Sequence, residues 1–87
     1  TVNVTLKVTD DATVGHIIDW FGDNVRIFEK TEDGKPVLFA DVTAAELAVV
    51  YWAMQYGEAV EIVAPESTRK KAAELAEKIA GKYRGTH

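Results

Sequence analysis

Residues 43–56 set the hardest constraint on how this 87-residue chain can fold. Thr43 and Glu46 form a Thr-x-x-Glu pattern, a capping box that predicts a helix start, and Gly57 supplies the stop. Along that helix Leu47, Val50, Tyr51 and Met54 make one apolar stripe. Ala45, Ala48, Val49, Trp52 and Tyr56 make a second, roughly opposite. A helix apolar on nearly every side must be covered on nearly every side. One sheet can cover only one stripe, so the other needs the last helix, another domain or another chain.

The remaining elements follow from periodicity. Val2, Val4, Leu6 and Val8 alternate with Asn3, Thr5, Lys7 and Thr9, which predicts a strand with one apolar and one polar face. Asp10 and Asp11 offer capping oxygens to a helix over 12–21, with Val14, Ile17, Ile18 and Phe21 as its stripe and Gly22 as its stop. Val25–Lys30 and Val37–Val42 read as strands around Asp33-Gly34, a hairpin signal whose turn type stays open. A short strand, Ala59–Val63, precedes a helix that begins near Pro65 and carries Ala72, Leu75, Ala76, Ile79 and Tyr83 as its buried stripe.

The order β-α-β-β-α-β-α predicts an α+β fold. Its first six elements fit a ferredoxin-like βαββαβ antiparallel sheet, and the seventh is an appended C-terminal helix. The chain reads as one domain over residues 1–87. It lacks an initiator Met and enters a strand pattern within two residues, so we expect a piece of a longer protein.

Composition narrows the function classes. The net charge is −4, whereas a domain that grips duplex phosphates carries a basic excess. There is no cysteine, which excludes disulfides, zinc–thiolate sites and thiol catalysis, and fits a reducing cytoplasm. The longest apolar run, Leu47 to Met54, is too short to span a bilayer.

Residues with chemical potential are few, and most have plain structural readings. The histidines are His16 and His87; His16 lies beside the stripe of the first helix, one turn from Trp20. Asp19 and Asp23 are spaced for one helix face, but Asp23 falls past the Gly stop, which argues against a metal pair. Ser67, the one serine, suits the start of the last helix better than nucleophilic attack. Gly81 and Gly85 sit at a helix end, the wrong place for phosphate binding. The chain is therefore expected to be non-catalytic, with no metal and no cofactor.

Two features point to contacts. Arg69, Lys70, Lys71, Lys78, Lys82 and Arg84 could be read as a nucleic-acid stripe, but Lys70–Glu74 and Glu74–Lys78 are i,i+4 pairs that favour a solvated helix face. Arg69 stands apart. It falls in the first turns of its helix, where the macrodipole disfavours a cation, so it needs an acidic partner. Glu61 or Glu66 could serve internally, and a phosphate or effector carboxylate externally. The second feature is the stripe of the 43–56 helix left over by the sheet. Trp52 and Tyr56, with Ala45 and Val49, form the expected interface, since large aromatics anchor contacts well. The competing arrangement has Ala73, Ala76 and Ala80 bring the last helix close enough to seal that side within one chain.

Residues 52–69 also carry a family resemblance. Trp52-Ala53-Met54-Gln55-Tyr56-Gly57 is a W-x-x-x-aromatic-G step; Val60-Glu61-Ile62 and Pro65 follow, and Arg69 stands four residues beyond the proline. The run is similar to W-x-x-x-F-G-x-x-V-E-V-x-x-P-x-x-L-R, the signature of the WCX domain, the C-terminal extension of WYL-domain-containing bacterial transcription regulators. Thr68 departs from it, because the family usually has Leu there, which leaves the packing of the first turn of the last helix in question. The resemblance extends over essentially the whole chain. It implies a parent with an N-terminal helix-turn-helix domain and a central WYL barrel that senses effectors, with this domain last. It also implies a part in dimerisation, and DNA contact only through the other domains. The expected function is thus a cytoplasmic regulatory and oligomerisation module. The alternative is an ACT-like small-molecule-sensing domain; such sensors usually have a Gly-rich turn after the first strand, where this chain has Asp10-Asp11-Ala12.

Overall fold

The computed structural model describes residues 1–85. The elements run β1 (Val2–Val8), α1 (Asp11–Phe21), β2 (Val25–Glu32), β3 (Lys35–Ala44), α2 (Glu46–Gln55), β4 (Val60–Ala64) and α3 (Glu66–Arg84), with a 3-10 turn over Gly22–Asn24. The fold is α+β. Its four strands lie in the order β2-β3-β1-β4, and every neighbouring pair is antiparallel.

Alternation along β1 does what its pattern predicts. Val4, Leu6 and Val8 are buried, and across the ladder Val4 meets Val42 and Leu6 meets both Ala40 and Ile62. Ile17 of α1 and Val49, Val50, Trp52 and Ala53 of α2 close over these residues, making one core between sheet and helices. α1 starts where the sequence places it: the Asp10 carboxylate accepts from the Thr13 amide at 2.8 Å and its hydroxyl at 2.7 Å, satisfying a donor the helix cannot.

The other face of the sheet is finished by side chains alone. Phe28 and Phe39 are register partners and stack with centroids 5.5 Å apart. The Arg26 guanidinium sits 4.5 Å from the Phe28 centroid, and Lys30 lies over both rings. Asp41 accepts from Thr5 and Arg26, each at 2.6 Å, and Lys7 pairs with Glu32 at 2.8 Å. Phe39 is thereby only 5% exposed, because aliphatic stems and cations cover it.

Two expectations fail. The capping box does not form, because β3 continues through Ala44 and Thr43 is a strand residue paired with Asn3. Ala45 takes the N-cap position with no side-chain hydrogen bond, and Glu46 turns elsewhere. The stripe predicted along α3 is also only half buried. Thr68 and Ala72 are buried and Leu75 is half-buried, but Ala76, Ile79 and Tyr83 are exposed. α3 outruns the surface on which it packs.

Candidate interaction surface

Arg69 and Glu61 come together at the outer edge of the sheet. β4 is an edge strand, and α3 packs along it and across α2. From the first turns of α3, Arg69 Nη1 donates to Glu61 Oε2 at 2.6 Å and to the Ile62 carbonyl at 2.8 Å. The Glu61 hydrogen bond and charge, with a smaller contribution from Glu66, hold the guanidinium pKa above its already high ordinary value. Of the partners open to Arg69, the structure thus provides an internal one. Both side chains remain about half exposed, so the pair contributes modestly to stability.

A second polar cluster lies where α2 begins. Glu46 accepts from the Thr68 hydroxyl at 2.7 Å and pairs with Lys71. The Lys71 and Thr68 hydrogen bonds hold its carboxyl below the usual range. Thr68 is fully buried, and this bond satisfies its hydroxyl. The departure from Leu therefore leaves the first turn of α3 packed, with a hydrogen bond tying α3 to α2. Sequence reasoning missed this cluster because Glu46 read as the reciprocal half of a cap.

The expected interface around Trp52 is corrected. Trp52 is 4% exposed and Val49 fully buried, both inside the chain's own core. Phe21 of α1 meets Trp52 edge-on at 5.3 Å, Tyr56 lies 4.7 Å from it, and His16 stacks on Tyr56 at 5.1 Å. The first helix, rather than a partner or the last helix, covers this side. The Trp52 indole Nε1 is buried without a hydrogen-bond acceptor among the described residues. Of the four residues expected at the interface, Ala45 is exposed and Tyr56 half-buried.

The uncovered apolar side of α2 is the other one. Leu47 is 60% and Tyr51 61% exposed, and they border a groove of about 200 Å³ shared with Val50, Leu75 and the stems of Lys71 and Lys78. The exposed residues of α3 continue from it: Ile79 and Tyr83 follow Leu75 at successive turns, and Tyr83 is 83% exposed. Glu74 and Lys78 flank the groove, and Arg84 pairs with Glu77 at the helix end.

Other sequence candidates stay apart from these sites. Ser67 is exposed and caps nothing, since Pro65 holds the N-cap position of α3. His87 and the Asp23 side chain lie outside the described residues. Among the described residues, no group of three or more His, Asp or Glu side chains could hold a metal ion, and no helix is long and apolar enough to cross a membrane.

Comparison with known families gives one match: the WCX domain, over residues 1–80. No curated protein and no solved structure matches the chain significantly.

Proposed function

Because the chain belongs to the WCX domain family, which points to a regulatory domain of WYL-type regulators, we propose that it is the non-catalytic C-terminal module of such a transcription regulator, acting through oligomerisation. In this reading a helix-turn-helix domain and a WYL barrel precede it in a cytoplasmic parent, and the βαββαβ part is ferredoxin-like. Read from the β4 edge, the strand order is β4-β1-β3-β2, which supports that description.

The observation that carries the proposal is the exposed apolar face of α2 and α3. Large side chains at 60–83% exposure on adjoining helices are the kind of surface that contacts another protein surface. Duplex DNA is left to the other domains, since the chain's net charge is −4 and Lys71 and Arg84 are engaged with glutamates. The small-molecule-sensor reading has less to draw on, because Asp10, in the turn after β1, commits its carboxylate to Thr13.

Reading the gene upstream of Thr1 tests the parent class. A helix-turn-helix followed by a WYL barrel is expected, and a reading frame that encodes neither overturns the proposal. The 87-residue chain itself should bind duplex DNA no better than an unrelated acidic protein; sequence-selective, sub-micromolar binding at physiological salt would contradict it.

A further inference from the structure

We propose that the groove between β4 and α3 binds the C-terminal end of a peptide chain, laid parallel to β4 as a fifth strand, with its carboxylate on Arg69. The inference goes beyond the regulator reading and does not depend on what precedes the chain.

The starting point is the bare side of β4, an edge strand whose strand neighbour is β1. The Thr9 amide donates to the Ala59 carbonyl at 2.9 Å, and Lys7 pairs with Glu61 in the same ladder. Backbone groups alternate in direction along a strand. Ala59 and Glu61 therefore turn theirs toward β1, while Val60 and Ile62 turn theirs outward. The chain itself takes part of that outward set. The Val60 amide donates to the Tyr56 carbonyl at 3.0 Å, and the Ile62 carbonyl accepts from Arg69 Nη1 at 2.8 Å. Left over among the described residues are the Val60 carbonyl and the Ile62 amide, an acceptor and a donor on either side of Glu61.

In a parallel ladder one residue bonds both such groups. Its N–H donates to the carbonyl before the residue it faces, and its carbonyl accepts from the amide after that residue. A single peptide residue opposite Glu61 thus satisfies both. The peptide residues before and after it point to the helix side of the sheet, as Val60 and Ile62 do. There a groove of about 370 Å³ lies open, with Ala73 and Ala76 of α3 as its wall and Ala53 and Met54 of α2 as its floor. Its lining is apolar apart from Glu61 and Arg69, so the two inward side chains of the peptide should be apolar and compact.

Arg69 decides which end of a peptide arrives and in which direction. Its side chain crosses the edge from α3 to reach Glu61 and bonds the Ile62 carbonyl on the way. Nη1 thereby occupies the place from which the amide of a further peptide residue would donate. A parallel strand has to stop there, and the group that stops beside the guanidinium is a carboxylate. An antiparallel strand would bring its amino end to the same cation, which repels it. Both internal bonds run from Nη1, so the fork of Nη2 and Nε is left to donate to the incoming carboxylate.

Titration of the isotope-labelled 87-residue chain with acetyl-Val-Thr-Val, free at its carboxyl end, tests this by nuclear magnetic resonance. Saturable shifts should centre on Val60, Ile62 and Ala73, with a dissociation constant of about 1 mM or tighter. The Ile62 amide should exchange with solvent more slowly when the peptide is bound. The same peptide amidated at its carboxyl end should bind at least about tenfold more weakly, since it gives up the charge-assisted bond. Ala73→Glu places a helix-forming residue at an exposed position, fills the groove and repels the carboxylate. It should weaken the free acid by a similar factor with circular dichroism unchanged. In Arg69→Gln the acid and the amide should bind alike. Equal binding of acid and amide to the unaltered chain overturns the proposal, and so does an Ala73→Glu chain that binds as before. The absence of saturable shifts up to about 10 mM peptide overturns it too, as do shifts centred on Leu47 and Tyr51 instead. None of these results bears on the parent class, which the upstream gene sequence decides.

Discussion

Two apolar stripes of similar composition end up in opposite surroundings. On α2, Val49 and Trp52 are buried and Tyr56 half-buried under α1. On α3, Ile79 and Tyr83 follow the same helical spacing and face outward. Each stripe alone would read as core. The difference lies in the neighbours: α1 and α2 both sit on the sheet and meet through Phe21 and His16, whereas α3 runs past its contacts with α2 and β4. Periodicity reports that a face wants cover, and the length of the adjacent elements decides whether the chain can provide it.

Substitutions measured at concentrations that keep the chain monomeric should separate the two regions. Trp52→Ala should cost about 3–5 kcal/mol in denaturant unfolding, because it empties a packed site against Phe21 and Tyr56. A loss under 1 kcal/mol there would break the comparison. Thr68→Val keeps the shape but removes the donor to Glu46, and about 1 kcal/mol should go with it. Equal stability of that variant would mean that the α2–α3 tie rests on packing alone.

Acid should act first where carboxyls tie the starts of α1 and α2 and the outer face of the sheet. Thr13 hydrogen bonds lower the Asp10 carboxyl, and the Lys71 and Thr68 bonds lower that of Glu46. For Asp41, burial pushes the other way, but the Thr5 and Arg26 hydrogen bonds and the Arg26 charge outweigh it. Carboxyls with depressed pKa stabilise the fold above their unfolded values, and that contribution is lost as pH falls through the folded ones. Starting values are 3.8 for the aspartates and 4.5 for Glu46, so the melting temperature should hold near neutrality and fall below about pH 4.5. A melting temperature that rises on acidification contradicts these assignments. The smallest effect belongs to Tyr83→Ser, at a side chain 83% exposed, which should change monomer stability by less than about 0.5 kcal/mol. A loss matching that of Trp52→Ala would show that the end of α3 has cover after all.

Much of the fold was legible because it is local. The β1 alternation, the Asp10 cap, the Asp33-Gly34 signal and the element order all emerge from residues a few positions apart. The Arg69–Glu61 pair was legible too, since a cation near a helix start asks for an acid close by. The failures concern longer range. Thr43-x-x-Glu46 has the chemistry of a cap, yet pairing of Thr43 with Asn3 keeps β3 extended through it, and no local pattern shows that. Once freed from the cap, Glu46 reaches Thr68 and Lys71, more than twenty residues away. Which side of α2 is left bare depended likewise on where α1 crosses it.

The hairpin turn carries a consequence for the whole sheet. Glu32 pairs with Lys35, leaving Asp33 and Gly34 as a two-residue connection with φ of 51° and 78°. Two positive φ values mark the type I′ turn, whose twist suits the strands on either side. This turn sets the parity of β3 against β2. Side chains on a strand alternate between faces, so a slip of β3 by one residue against β2 would exchange them wholesale. Phe39 and Asp41 would then swing toward the helices while Ala40 and Val42 moved out beneath Arg26 and Lys30. A buried carboxylate and an unfilled core would follow together, so two residues at the tip of a hairpin act as the sorter that tells the sheet which side is inside.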